Sequence, residues 1–237
     1  MGRRWVKVLA VTVAVLAVLF VTADRVAVHY ADKEALQLAK EKYGYANTTD
    51  GHMSVGIQGF PFVTQALDGD FRHVTLDADH FYVDTVDNRQ GGYLYIARLR
   101  IDLRDVSVTS VTARSAQANL ATGTLTLSYK DLSGVVSRLA RAGGSIKISQ
   151  APGSDGQAAR VQVSGTVGGA PLSSTGTLLA QGSELTLSVP GAERAGCEWR
   201  VALPVGLGFT AARATADGIE ISLTGHQVTL GSSRFDG

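Results

Sequence analysis

Three hydrophobic patterns follow one another along this chain of 237 residues. From Val8 to Ala23 the stretch VLAVTVAVLAVLFVTA is uncharged and almost wholly apolar. From Asp24 to Lys42 apolar residues return at three- and four-residue spacing: Ala27, Ala31, Ala35 and Leu38. Lys33, Glu34, Gln37, Lys40 and Glu41 lie largely on the other side. That period predicts an amphipathic helix, with Gly44 as its stop. A helix running straight on from an apolar segment is a stalk, whereas one that turns back onto a sheet is a lid or wall; both readings stand.

After Gly44 the period drops to two. Met53, Val55 and Ile57 share one face of 52–58, and Val74, Leu76 and Ala78 alternate with Thr75, Asp77 and Asp79. The clearest strand is 93–105, where Tyr95, Ala97, Leu99, Ile101 and Leu103 point one way and Arg98, Arg100, Asp102 and Arg104 the other. One dry face and one wet face mark an antiparallel sheet. Residues 87–92, DNRQGG, supply the turn before this strand. A second helix is predicted over Lys130–Arg141, with Ser128 and Asp131 as a capping box, Leu132, Val135, Val136 and Leu139 as its stripe, and Gly143 as its end. Short strands follow around Ile146/Ile148, Val161/Val163, Leu185/Leu187/Val189, Ile219/Ile221/Leu223 and Val228/Leu230, with turns at 152–156 and at Gly168-Gly169. No βαβ rhythm is present, which argues against a parallel doubly wound sheet. The expectation is an α+β fold: a curved antiparallel sheet with a long N-terminal helix and a second short helix.

The flank of the apolar run sets the compartment. Arg3, Arg4 and Lys7 precede it, the arrangement of an export signal whose positive side stays in the cytoplasm. Its 16 residues span about 24 Å as a helix, between a signal-peptide core and a full membrane span. Val21-Thr22-Ala23 has the small residues of a cleavage site, so residues 1–23 are read as a retained anchor or a signal peptide. Residues 24–237 are then one exported domain, held at the cell membrane or released into the envelope. Removing Arg3, Arg4 and Lys7 from the 22 basic residues leaves 19 against 21 acidic ones, a net charge of −2. So weak a charge offers no footprint for nucleic acid and no pull towards anionic head groups. Contact with a membrane must come from apolar surface.

The remaining polar residues hold no complete catalytic pattern. His73, Asp77, Asp79 and His80 look like a metal cluster, but four strand residues separate His73 from Asp77 by about 13 Å. Wet-face residues are the better reading. The stretch Gly143-Gly144-Ser145-Ile146-Lys147 lacks the closing glycine of a nucleophile elbow. Cys197 is the one cysteine and has no histidine near it in sequence, so a small buried residue is expected there. Gly206-Leu207-Gly208 reads as strand-and-turn glycines. No enzyme, metal or cofactor is expected. The remaining feature is Gly59-Phe60-Pro61-Phe62 at a strand exit, read either as a core plug or as a membrane-facing tip. The small aliphatic face of the sheet suits a lipid-lined groove or a closed core.

These last residues carry a resemblance. The stretch from Val55 to Gln65, VGIQGFPFVTQ, followed by Gly69 and the strand from Phe71 to Leu76, resembles the hallmark of the actinobacterial LmeA-like phospholipid-binding family. That hallmark runs roughly V-x-I-x-G-F-P-F-L-T-Q and then G-x-Y-x-x-V; here Val63 stands in place of Leu and Phe71 in place of another aromatic. The Asp24-Arg25 helix behind a membrane segment and Leu103-Arg104-Asp105-Val106 resemble the family too. The resemblance implies a cell-envelope protein that binds phospholipid, supports envelope lipid or glycolipid maturation, and has a fold akin to tubular lipid-binding domains. Phospholipid and membrane are the implied partners, with an envelope-biosynthesis protein as a further one. No ligand set comes with the resemblance, so the contact residues expected here are the turn, Phe60, Pro61 and Phe62, and the inner face, Val74, Leu76, Leu99, Ile101 and Leu103. Arg98 and Arg100 are either head-group partners or ordinary solvent-face residues. The competing expectation is a non-enzymatic scaffold with a closed core, anchored in the envelope membrane.

Overall fold

The computed structural model describes residues 2–42, 52–86, 93–110, 115–139, 145–152, 158–167, 169–190, 197–201 and 203–230. The stops expected at Gly44 and Gly143, the turn at 87–92, all but the first residue of the turn at 152–156, Gly168 and the side chain of Cys197 lie outside this description. A single helix, α1 (Gly2–Lys42), runs through the apolar segment and the amphipathic one without a break. Then follow β1 (His52–Gln58), α2 (Phe62–Asp68), β2 (Asp70–Val86), β3 (Tyr93–Ser110) and β4 (Ser115–Leu127). Helix α3 (Tyr129–Leu139) leads into β5 (Ile146–Gln150), β6 (Ala158–Val167), β7 (Ala170–Gln181) and β8 (Glu184–Ser188). The chain closes with β9 (Cys197–Val201), β10 (Leu207–Ala214) and β11 (Ile219–Leu230). The fold is α+β and antiparallel, as expected, with α2 as a third helix that periodicity did not predict.

The strands form two half-sheets hinged on β2, in the order β10-β11-β4-β3-β2 and β9-β8-β7-β6-β5. β2 serves both because it is long. Its second edge pairs with β1 over residues 73–79 and with β9 over residues 85–86. The halves also meet away from β2: Gly182 at the β7–β8 turn exchanges two backbone hydrogen bonds with Phe209 of the edge strand β10, at 2.7 and 3.1 Å. The main core lies between the halves. Leu125, Leu127, Ile219 and Ile221 on one side meet Val161, Leu178, Leu185 and Trp199 on the other, all at most 4% exposed. A second, smaller cluster of Leu103, Val106, Ala118, Ala121 and Val228 sits where α2 joins the sheet.

Burial does not keep one parity along a strand. In β3 the buried residues are Leu94 and Ile96, then Leu103, then Val106, so the expected inward Tyr95 and Ala97 are instead half-buried. The switches fall beside backbone with positive φ: His80 at 56°, beside Ala97, and Asp105 at 49°, in the same cross-strand row as Gln227 at 52°. A left-handed residue rotates the strand about its axis, so the next side chain takes the face its predecessor held. The register across both rows continues unshifted.

The edge strand β5 is covered by α3. Ser128 and Asp131 cap the helix reciprocally, with Asp131 N–H donating to Ser128 Oγ at 3.1 Å. Ser133 and Ser137 then turn their hydroxyls to the strand and accept the Ile148 and Ile146 N–H groups at 2.8 and 2.9 Å. Two serines on successive turns thereby satisfy donors that a neighbouring strand would otherwise take.

Candidate functional site

The register of β1, β2, β3, β4, β11 and β10 lines up one apolar face in three rows. The first row is Met53, Ala78, Leu99, Leu125, Ile221 and Ala212. The second is Val55, Leu76, Ile101, Gly123, Leu223 and Phe209. The third is Ile57, Val74, Leu103, Ala121, Gly225 and Leu207. Five of the residues singled out from the sequence, Val74, Leu76, Leu99, Ile101 and Leu103, are therefore neighbours on two adjacent strands.

Their burial differs across the face. On β4 and β11, Leu125, Ile221 and Leu223 are buried in the main core and Ala121 in the smaller cluster. On β1, β2 and β3, Val55, Ile57, Val74, Leu76, Leu99 and Ile101 are only half-buried, while Leu103 is 8% exposed. Leu76 and Leu99 pack against the main core, Val74 and Ile101 against the smaller cluster. The half-open strip thus bridges the two clusters. Covering such a side chain with hydrocarbon gains on the order of 1 kcal/mol, at about 25 cal/mol per Å².

At the end of this strip stands the turn. Gly59 has φ 113°, and a Cβ there would lie 2.8 Å from the Gln65 amide. Gln65 is buried at 7% exposure and ties both sides of the turn: its Nε2 donates to the Pro61 carbonyl at 3.3 Å and its Oε1 accepts from Arg72 N–H at 3.0 Å. Gly69, at φ 73°, ends α2 by donating its N–H to the Gln65 carbonyl. Pro61, half-buried behind a cis peptide bond, precedes α2 without a side chain able to cap it. The cap comes from α1: Asp24, 0% exposed, accepts the Val63 N–H at 2.9 Å. A carboxylate there also meets the positive end of the helix dipole. Two turns further along α1, Asp32 accepts the Ile57 N–H at 2.8 Å, and Leu36 packs onto the main core. The amphipathic part of α1 is a wall of the domain.

The two phenylalanines separate. Phe62 is 6% exposed and stacks on Phe71 with ring centroids 6.1 Å apart, so it is the plug. Phe60 is 44% exposed and lies edge-on to Phe20 of the apolar segment at 6.2 Å, with the Arg25 guanidinium 5.9 Å from its ring centre. Sequence reasoning gave Asp24 and Gln65 no role of their own and did not single out Asp32. The signal for the two aspartates was an acidic residue within the buried stripe of a helix, which requires a donor to meet it.

The opposite face of the sheet is charged and self-neutralised. Arg100 Nε donates to Asp77 at 2.7 Å and Arg98 Nε to Asp79 at 3.3 Å, while His73 Nε2 is 2.5 Å from Asp102. The hydrogen bond and charge of Asp77 raise the pKa of Arg100 further. Of the two readings of these arginines, the solvent-face one holds. The same pairs give His73, Asp77 and Asp79 three different partners.

One comparison with known proteins gives a match: the family model for LmeA-like phospholipid-binding proteins covers residues 22–234. No curated protein and no solved structure matches the chain.

Proposed function

Because the chain belongs to the LmeA-like phospholipid-binding family, we propose that it holds or carries a phospholipid in the envelope, with acyl chains on the half-open strip of β1–β3. Val74, Leu76, Leu99, Ile101 and Leu103 are its contacts, and Phe60, Pro61 and Phe62 form the turn at its mouth. The observation that carries this reading is the register that gathers half-buried aliphatic side chains from three strands into one strip between two packed clusters. A strip of this kind is worth covering, and hydrocarbon covers it without asking for hydrogen bonds.

The apolar half of α1 is the anchor. Its residues 12–23 lie within Thr12–Gln37, a stretch that by length and composition suits a membrane span, and from Asp24 on that stretch packs against the domain. Between Thr12 and Ala23 every side chain is exposed, Val18 to 66% and Leu16 and Leu19 to 59%, on all sides of the helix. A helix segment that is apolar all round and, apart from the edge contact of Phe20 with Phe60, uncovered by the described residues suits hydrocarbon. Binding and carriage, without bond making, supports envelope lipid or glycolipid maturation in this reading.

The test is native mass spectrometry of the full chain released from mild detergent, with organic extraction of the same sample. The expected result is one phospholipid per chain, exchanged by added lipid. A chain that emerges empty and takes up nothing from vesicles would sink the carrier reading in favour of the scaffold one.

A further inference from the structure

Outside α1, five large apolar side chains are exposed among the described residues: Phe60, Leu67, Val108, Val205 and Leu179. The first four share one end of the sheet. Phe60 follows β1, Leu67 ends α2 just before β2, Val108 closes β3 and Val205 precedes β10. Backbone hydrogen bonds fix their common level: Val108 N–H donates to the Gly69 carbonyl at 2.8 Å, and Thr229 N–H, near the end of β11, donates to the Val205 carbonyl at 3.1 Å. Asp70 of β2 stands opposite Ser107, and Leu230 of β11 opposite Ala116. From β1 to β10 this rim crosses six strands, about 24 Å at the usual strand spacing. Leu67 is 82% exposed and Val205 67%, values that core packing does not explain.

The same end receives the apolar segment of α1. Phe20 meets Phe60 there, and Arg25 begins the charged part of the helix with its guanidinium over the Phe60 ring. An aromatic beside an arginine at the limit of an apolar helix sits at head-group depth, the ring in the acyl boundary and the cation reaching water. We propose that this rim is a second membrane contact: Leu67, Val108 and Val205 rest in the outer leaflet of the bilayer crossed by α1, so the domain stands on the membrane along its sheet end. This deepens the proposed function and rests on its reading of α1 as an anchor. A bilayer is the partner because the rim continues the surface of the membrane helix through the Phe20–Phe60 contact. The β1–β3 strip then opens immediately above the leaflet that would supply its lipid.

The experiment uses the full chain with Cys197→Ser and one added cysteine, Leu67→Cys, Val108→Cys or Val205→Cys, each carrying an environment-sensitive fluorophore. Ala170→Cys, exposed at the β6–β7 turn, is the solvent reference. Proteins are reconstituted in phosphatidylcholine–phosphatidylglycerol vesicles with and without phosphatidylcholine spin-labelled near the head group. All three rim labels are expected to be quenched several-fold more than the reference. Leu67 neighbours the anchor and would be drawn near lipid by the tether alone, so Val108 and Val205 decide. If either is quenched no more than the Ala170 label, the rim contact is overturned. Native mass spectrometry of the same chains in mild detergent, before they meet the vesicles, reports the carrier reading separately, so the two can fail independently.

Discussion

Asp24 shows how much a single residue arranges in this molecule. It ends the apolar half of α1, yet its side chain is fully buried, because α2 offers an uncapped N–H group that Pro61 cannot serve. Asp24→Ala removes the acceptor and leaves the Val63 N–H unpaired, and the expected loss is about 1–3 kcal/mol. Asp24→Asn keeps an acceptor oxygen and is expected to recover most of that loss. Urea unfolding of the full chain in detergent measures both; an alanine variant as stable as the wild type would remove the cap from the account. Gly59 and Gln65 belong to the same construction, since the glycine leaves the space that the amide fills. At this scale the signature residues of the turn were legible, but their division of labour was not. Phe60 and Phe62 are chemically identical, and only the partners Phe20 and Phe71 make one a tip and the other a plug.

At the scale of elements, strands with Val, Ile and Leu on alternate positions were readable, and those rich in small polar residues were not. β4 (SAQANLATGTLTL) and β7 (APLSSTGTLLAQ) carry a weak alternation because their inward positions include Ala and Gly, which neighbouring strands approach closely. α2 is short and its Phe62 and Gln65 point into the domain, so no stripe betrays it. The second helix was readable from its capping box and stripe, whereas its service to β5 was not, since Ser133 and Ser137 read as ordinary polar-face residues. Ser133→Ala with Ser137→Ala frees the Ile146 and Ile148 N–H groups, at an expected cost of about 1–3 kcal/mol for the pair. Amide exchange should rise in β5 and leave β3 and β4 unchanged. Equal protection in wild type and double variant would show that the hydroxyls are dispensable.

For the whole molecule, the two faces of the β1–β4 half-sheet make a comparison possible. Ile101→Asp places a carboxylate on the half-open strip, and Ser222→Asp places one on the charged face beyond Arg100 and Thr124. The first is expected to lower the retained phospholipid at least tenfold, about 1.4 kcal/mol, and the second to leave it unchanged, with unfolding curves confirming that both fold. Equal retention would move the bound lipid off this strip. Much of the architecture followed from the chain alone. Period two against period 3.6 determined the strands with aliphatic alternation and the long helices, and the basic flank of an uncharged run determined the export reading, because both rest on local geometry and transfer free energy. Tertiary structure decided the rest. Which aliphatic residues remain half-open depends on where the second half-sheet ends, and which exposed ones form a rim depends on six strand ends lying level with the exit of α1. Neither is set by any window of sequence: the first rests on contacts between the halves such as the Gly182–Phe209 hydrogen bonds, the second on hydrogen bonds between residues 24 and 63, 69 and 108, or 205 and 229, whose separations no local period encodes.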